Sequence, residues 1–155
     1  FFGVQLWRES APPFPLVAVD QVDRAAVQGN PARADTRTPK ERDVALEADV
    51  RSINAAVVAW AQDHTGAYPE SNFRNPCSGV RYCLKGTDIN TAEKSYVVPI
   101  PQTIPHRLDY HYRANNKTHT FCIRTPKALE TDLGMVFQCT HTECGRVRFE
   151  EACEE

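Results

Sequence analysis

Between Thr38 and Gly66 the apolar residues Leu46, Val50, Ile53, Val57 and Trp60 recur at steps of four, three, four and three, which places them in one stripe of an α-helix. Glu47, Asp49, Arg51, Asn54 and Gln62 fall on the polar side of that stripe. Both ends carry signals. Thr38 is placed to cap, Pro39 takes the first helical position where its missing N–H costs nothing, and Glu41 completes a capping box. Gly66 tolerates a left-handed turn at the far end, and Pro69 prevents the helix from resuming. From Pro39 to His64 the expected rod is about 39 Å long at about 1.5 Å per residue, long enough to be the spine of a domain.

Beyond the helix the period changes. Pro69 to Lys94 is a long loop rich in Asn, Pro, Ser and Gly, and loops of that length usually carry a role, so it is a candidate recognition surface. Ser95-Tyr96-Val97-Val98 reads as an edge strand or a strand end, because Pro99 and Pro101 follow. Leu108, Tyr110 and Tyr112 alternate with Asp109, His111 and Arg113, and Phe121 and Ile123 alternate with Thr120, Cys122 and Arg124. With Ala114-Asn115-Asn116-Lys117 between them, these runs predict a hairpin. Met135 to Cys139 and Arg146 to Phe149 supply further strands. The predicted class is α+β, one long amphipathic helix packed on an antiparallel sheet and stapled by disulfides.

Residues 1–37 show neither period and read as an extended segment or linker ahead of a domain at 38–155. Leu16 to Val19 is a short apolar run, and one helical turn is expected at Val22 to Val27. The opening run from Phe1 to Trp7 is far short of the roughly 20 apolar residues that span a bilayer. It also lacks the basic start and small-residue cleavage pattern of a signal peptide. Phe1, Phe2 and Trp7 followed by Arg8 suit a membrane interface, so the preferred expectation is the end of a membrane anchor preceding Phe1; the other is a mature start packed on the domain.

Cysteine use changes the picture most. All six cysteines lie from Cys77 onward, in the loop-rich half, and an even clustered count favours disulfides over other uses. Cys77 and Cys83 bracket a short loop with Ser78 and Gly79 in it and Pro76 just before it, so a local bridge is easy. Cys122, Cys139, Cys144 and Cys153 allow three pairings that the sequence does not separate; the preferred one joins Cys122 to Cys139 and Cys144 to Cys153. Zinc held by Cys139, His141 and Cys144 with Cys122 or Cys153 is the competing reading, disfavoured because paired Cys-x2-Cys knuckles are absent. Disulfides point to periplasm, cell surface or exterior.

Length and charge add limits. A chain of 155 residues makes one core, and a net charge of −2 with interspersed signs gives no nucleic-acid footprint. Glu150, Glu151, Glu154 and Glu155 read as a solvated terminus. His64, His106, His111, His119 and His141 are scattered, with His111 and His119 placed as a cross-strand surface pair. No nucleophile elbow, phosphate-binding glycine loop or His-Glu-x2-His helix occurs, and nothing brings Asp109 to Glu130 or Asp132 as a carboxylate pair. No catalytic residue, cofactor or metal site is assigned. Asn116-Lys117-Thr118 is a glycosylation sequon at the hairpin tip.

The helix ending in Gly66-Ala67-Tyr68-Pro69, the variable loop, Tyr96-Val97 leading to Pro99 and Pro101, the hairpin Tyr110-His111-Tyr112 and the later Ala128-Leu129-Glu130 together resemble the globular half of type IV pilins and type II secretion pseudopilins. The resemblance covers about residues 39–130 and rests on the order of short motifs. It implies a membrane-anchored subunit, polymerised through a hydrophobic N-terminal helix with itself or other pilin-like subunits, that displays its head outside. Calcium in a late loop is also a family property, and Glu130, Asp132, Glu143 and Glu150 offer oxygens, though their spacing matches no standard loop. The start departs from the family: in place of a long apolar helix with an early acid the chain has Gln5, Arg8, Pro12 and Pro13, and the prolines would break a continuous rod. The expected function is a non-enzymatic pilin or pseudopilin-like subunit acting by assembly and surface display. Its expected contacts are the exposed helix face and the stapled loop, with Tyr68, Phe73 and Tyr82 as aromatic anchors. The alternative is a secreted or membrane-anchored monomeric module that binds a ligand without polymerising.

Overall fold

The computed structural model describes residues 35–71 and 76–153. The chain divides between Thr36 and Arg37, and the helix, the sheet and the disulfides all belong to the second unit. The expected features of the N-terminal segment, including the run at Phe1 to Trp7, Leu16 to Val19 and the turn at Val22 to Val27, lie outside the described residues, as do Phe73, Glu154 and Glu155.

Helix α1 runs Pro39–Asp63, 25 residues, and starts as its sequence directs. Thr38 Oγ1 accepts from the Glu41 amide and Glu41 Oε1 accepts from the Thr38 amide, so the two side chains satisfy both of those first-turn donors. At the far end Thr65 and Gly66 both take positive φ, and the Gly66 amide donates to the Ala61 carbonyl. Val50, Ile53, Ala56 and Val57 share one apolar cluster with Tyr112, Phe121, Ile123 and Phe137 of the sheet, while Leu46 and Trp60 lie half-buried at its margin. The two sides of the helix are less cleanly separated than the stripe implies. Asp43 is 1 % exposed, whereas Val44 and Val58 are 56 % and 41 % exposed.

Four strands, β1 (His111–Asn115), β2 (Thr120–Arg124), β3 (Met135–Thr140) and β4 (Cys144–Arg148), form one antiparallel sheet in chain order. The hairpin pairs Tyr112 with Ile123 and Ala114 with Phe121. It begins at His111 rather than Leu108, because the preceding residues bond elsewhere: the Leu108 amide donates to Thr103 Oγ1 and the Asp109 amide to the Ser78 carbonyl. His111 and His119 do not face each other, since His111 is opposite Arg124 and His119 sits in the turn at positive φ. Ala128-Leu129-Glu130 lies between β2 and β3, with Leu129 buried and its amide bonded to the Met135 carbonyl.

Ser95 to Val98 is not a strand. A short helix α2 (Gly86–Ile89) precedes it, and the residue after α2, Asn90, takes the place of a neighbouring strand with one side chain. Asn90 Oδ1 accepts from the Tyr96 and Val97 amides, and its Nδ2 donates to the Val97 carbonyl. With those groups satisfied, the segment needs no ladder.

Phe121, Cys122, Ile123 and Arg124 of β2 are all buried, so alternation along the strand does not produce a wet face. The chain after β4 is the reason. Phe149–Glu151 forms a 3₁₀ turn, Ala152 is buried, and Cys153 returns to bond Cys122. Arg124 Nε donates to the Cys153 carbonyl, and the Cys153 amide donates to Gln138 Oε1.

The disulfides are Cys77–Cys83, Cys122–Cys153 and Cys139–Cys144, and no cysteine is left free. The local bridge is as expected, but the preferred pairing of the other four is wrong. Cys139 and Cys144 sit directly opposite each other across the β3–β4 hairpin, which commits Cys139 locally and leaves Cys122 for the returning terminus.

Candidate functional site

The strongest polar constraints hold loops to the helix–sheet core. Asp43, one turn into α1, accepts from the Glu130 amide at 2.9 Å, the Thr131 amide at 2.8 Å and the Thr131 hydroxyl at 2.6 Å. Burial works against its charge, but the Thr131 hydroxyl, the two amides and the nearby Arg146 outweigh it and hold the carboxyl below the usual carboxylate range. Beside it Arg42 makes a two-point bond to Glu130, and Arg146 links Glu47 and Asp132. Glu130 and Asp132, weighed as calcium ligands, are thus each engaged by arginine.

Asp109 anchors the stapled loop. Its Oδ2 accepts from the Ser78 amide at 2.7 Å and Lys85 Nζ at 3.0 Å, and its Oδ1 accepts from Gln102 at 2.7 Å. Desolvation raises its pKa, and the Ser78, Gln102 and Lys85 donors together bring it below the ordinary value. Asp109 and the Glu130–Asp132 pair have separate partners, so no carboxylate dyad forms from them. Among the described residues the one His/Cys/Asp/Glu group close enough to share an ion is Cys77, Cys83 and Asp109, and there the two sulfurs are bonded to each other. Cys139 and Cys144 are likewise joined, which removes them as zinc ligands.

Tyr110 and Asp49 form a third partly buried polar pair, with the phenol donating at 2.6 Å. Burial pushes the Asp49 carboxyl up, opposed by that hydroxyl and by Arg37. Burial and Asp49 push the phenol up as well, so Tyr110 stays a neutral donor.

Of the expected aromatic anchors, Tyr68 is half-buried and packs edge-on against Phe121, with ring centroids 4.7 Å apart. Asn116 clamps its backbone, accepting from the Tyr68 amide at 2.7 Å and donating to the Tyr68 carbonyl at 3.0 Å. The next residue is held too, because the buried Tyr112 hydroxyl donates to the Pro69 carbonyl at 2.6 Å. The Gly66-Ala67-Tyr68-Pro69 segment is therefore fastened to the hairpin at three points. Tyr82 lies elsewhere, with the guanidiniums of Arg113 and Arg81 4.5 and 5.4 Å from its ring centroid. Phe73 lies outside the described residues.

Tyr68 opens onto a hollow of about 300 Å³ lined by Trp60, Ala67, Tyr68, Glu70, Asp88 and Asn116. A larger, more polar groove of about 610 Å³ runs over the outer sheet face between Arg113, Thr120, Cys122, Thr140, His141 and Cys153. Sequence reading found Tyr68 but not its surroundings. Trp60 reads as core stripe and Asn116 as a sequon, and Asp88 comes within reach only through the fold. Asp43 carried no signal beyond being a charge on a helix.

No family profile, curated protein or solved structure matches this chain. Fold and geometry therefore carry the functional reading. The class they define is an α+β domain with one long helix, a four-stranded antiparallel sheet and three disulfides. Among the described residues no helix is long and apolar enough to cross a membrane.

Proposed function

We propose that this domain is a non-enzymatic, extracytoplasmic pilin-like or pseudopilin-like head that works by protein association. The observation that carries the proposal is the element order, a 25-residue helix leading through a stapled loop into an antiparallel meander with every cysteine oxidised. In this reading α1 is an amphipathic spine laid on the sheet, the bridges mark the periplasm, the cell surface or the exterior, and an anchor preceding Phe1 holds the domain at the membrane. Its partners are copies of itself or other pilin-like subunits. The reading rests on motif order and architecture alone. Electron microscopy of native, full-length material tests it: ordered filaments with this head repeated along them support it, and dispersed particles with the anchor intact overturn it.

A second reading, a monomeric binding module, is favoured by the hollow beside Tyr68, which Trp60, Ala67, Tyr68, Glu70, Asp88 and Asn116 line. Ligand capture by a protein that stays monomeric at high concentration would select it.

A further inference from the structure

The acceptor sequence Asn116-Lys117-Thr118 lies in the turn between β1 and β2, and all three residues are exposed there. Exposure alone does not make Asn116 available. Its Oδ1 accepts from the Tyr68 amide at 2.7 Å and its Nδ2 donates to the Tyr68 carbonyl at 3.0 Å, so the reactive nitrogen is half of a clamp. We propose that Asn116 Nδ2 is an N-linked oligosaccharide site open only before the hairpin closes on the post-helix segment, and that the glycan and the Tyr68 clamp exclude each other. This goes beyond the pilin-like reading and does not depend on it.

The exclusion follows from amide geometry. A primary amide that bonds one residue through both its oxygen and its nitrogen uses the N–H on the oxygen's side, and here that hydrogen is held by the Tyr68 carbonyl. In transfer from a polyprenyl diphosphate-linked oligosaccharide, Nδ2 forms a bond to the anomeric carbon of the sugar. The bond from that carbon to the diphosphate oxygen breaks, the diphosphate leaves with the electron pair, and Nδ2 gives up one proton. The product is a secondary amide, which keeps its two carbon substituents trans. The sugar then stands on the side of Oδ1, where the Tyr68 carbonyl sits in the folded chain, and the remaining N–H points back toward Cβ.

Both halves of the clamp are held in place by their surroundings. Asn115 Oδ1 accepts from the Lys117 amide at 2.9 Å and the Thr118 amide at 3.2 Å, and Thr118 Oγ1 lies 2.9 Å from Thr120 Oγ1. On the other side the Tyr68 ring packs on Phe121, and the Tyr112 hydroxyl holds the Pro69 carbonyl. Transfer to the folded chain must wait for local opening that breaks both bonds. Two bonds of ordinary net strength slow it by about tenfold to a hundredfold.

The test offers three acceptors to a purified oligosaccharyltransferase with its lipid-linked donor: the folded full chain, the reduced and alkylated full chain, and the folded full chain carrying His141→Asn with Glu143→Thr. Those substitutions write a second acceptor sequence into the exposed turn between β3 and β4. Glycopeptide mass spectrometry follows occupancy at each site. Rapid modification of Asn116 is expected in the alkylated chain, with modification about tenfold to a hundredfold slower in the folded one. The added site should be modified rapidly in the same folded molecule. Equal rates at Asn116 in folded and alkylated chains, no transfer to the alkylated chain, or an added site as slow as Asn116 would each overturn the proposal. Chain glycosylated while reduced and then reoxidised should show faster hydrogen exchange at the Tyr68 amide than unmodified chain; equal protection would sink the exclusion.

Discussion

Removing the Cys122–Cys153 bridge should cost more than removing either of the others. The three bridges close chain segments of separation 31, 6 and 5. If a cross-link acts mainly by restricting the unfolded chain, its contribution grows with the logarithm of the loop, giving about 3.7 kcal/mol for the long bridge and about 2 kcal/mol for each short one. The long bridge also positions Cys153, whose backbone bonds both Arg124 and Gln138, so its loss exposes part of the second sheet face. Three paired Cys→Ala variants, unfolded in guanidinium with midpoint and slope both recorded, test the ranking. A gap of about 1.5 kcal/mol corresponds to about 6 °C in Tm for a domain of this size. Equal losses, or the greatest loss at Cys139–Cys144, would refute the reasoning. So would a peptide map joining Cys122 to Cys139.

Asp43→Ala should destabilise by about 2–4 kcal/mol, since it strips charged acceptors from two amides and a hydroxyl, and Asp43→Asn should cost less because it keeps an acceptor oxygen; urea unfolding compares them. Asp43 and Asp109 have depressed folded-state pKa values, so their stabilisation is complete above the unfolded carboxylate value and fades as pH falls through the lower folded one. Asp49, raised by burial, works in the opposite sense, losing its contribution as pH rises through its folded value. Stability measured from neutral to strongly acidic pH should therefore fall less steeply in Asp43→Asn and Asp109→Asn than in the parent, and more steeply in Asp49→Asn. Gly79 sits at φ +90° with a Cβ position 2.9 Å from Leu108 Cδ2, so Gly79→Ala should cost about 1–3 kcal/mol by thermal melting. Asn116→Ala should cost about 1–2 kcal/mol and speed hydrogen exchange at the Tyr68 amide; unchanged exchange would show the clamp to be idle.

Local chemistry made the helix legible. Thr38, Pro39 and Glu41 specify their own geometry within one turn, and the hairpin of Tyr112 and Phe121 follows from alternation over a few residues. What the sequence withheld depends on residues far apart along the chain. Asp43 meets Thr131 across 88 residues, and no local pattern distinguishes it from the other acids of α1. Covering of the sheet's second face depends on where residues 149–153 return, which also decided the cysteine pairing. Ser95 to Val98 has the composition of a strand, but Asn90 satisfies its backbone from one side chain, a competition between side-chain and ladder bonding that composition does not reveal. Tyr68 and Glu70 are neighbours in the sequence, whereas Trp60, Asp88 and Asn116 join them from α1, α2 and the hairpin turn only in three dimensions.

The meander has two margins, and they are finished differently. Along β1 the stapled loop lies close enough that the Tyr112 amide donates to the Tyr82 carbonyl, so part of that backbone row is already spoken for. Along β4 no strand follows among the described residues, and the strand is five residues long with Arg146 and Arg148 in it. Short, charged borders resist recruitment of a foreign strand. Copies of this domain that meet would then do so through side chains, as separate bodies, rather than by extending a hydrogen-bonded ladder from one molecule into the next.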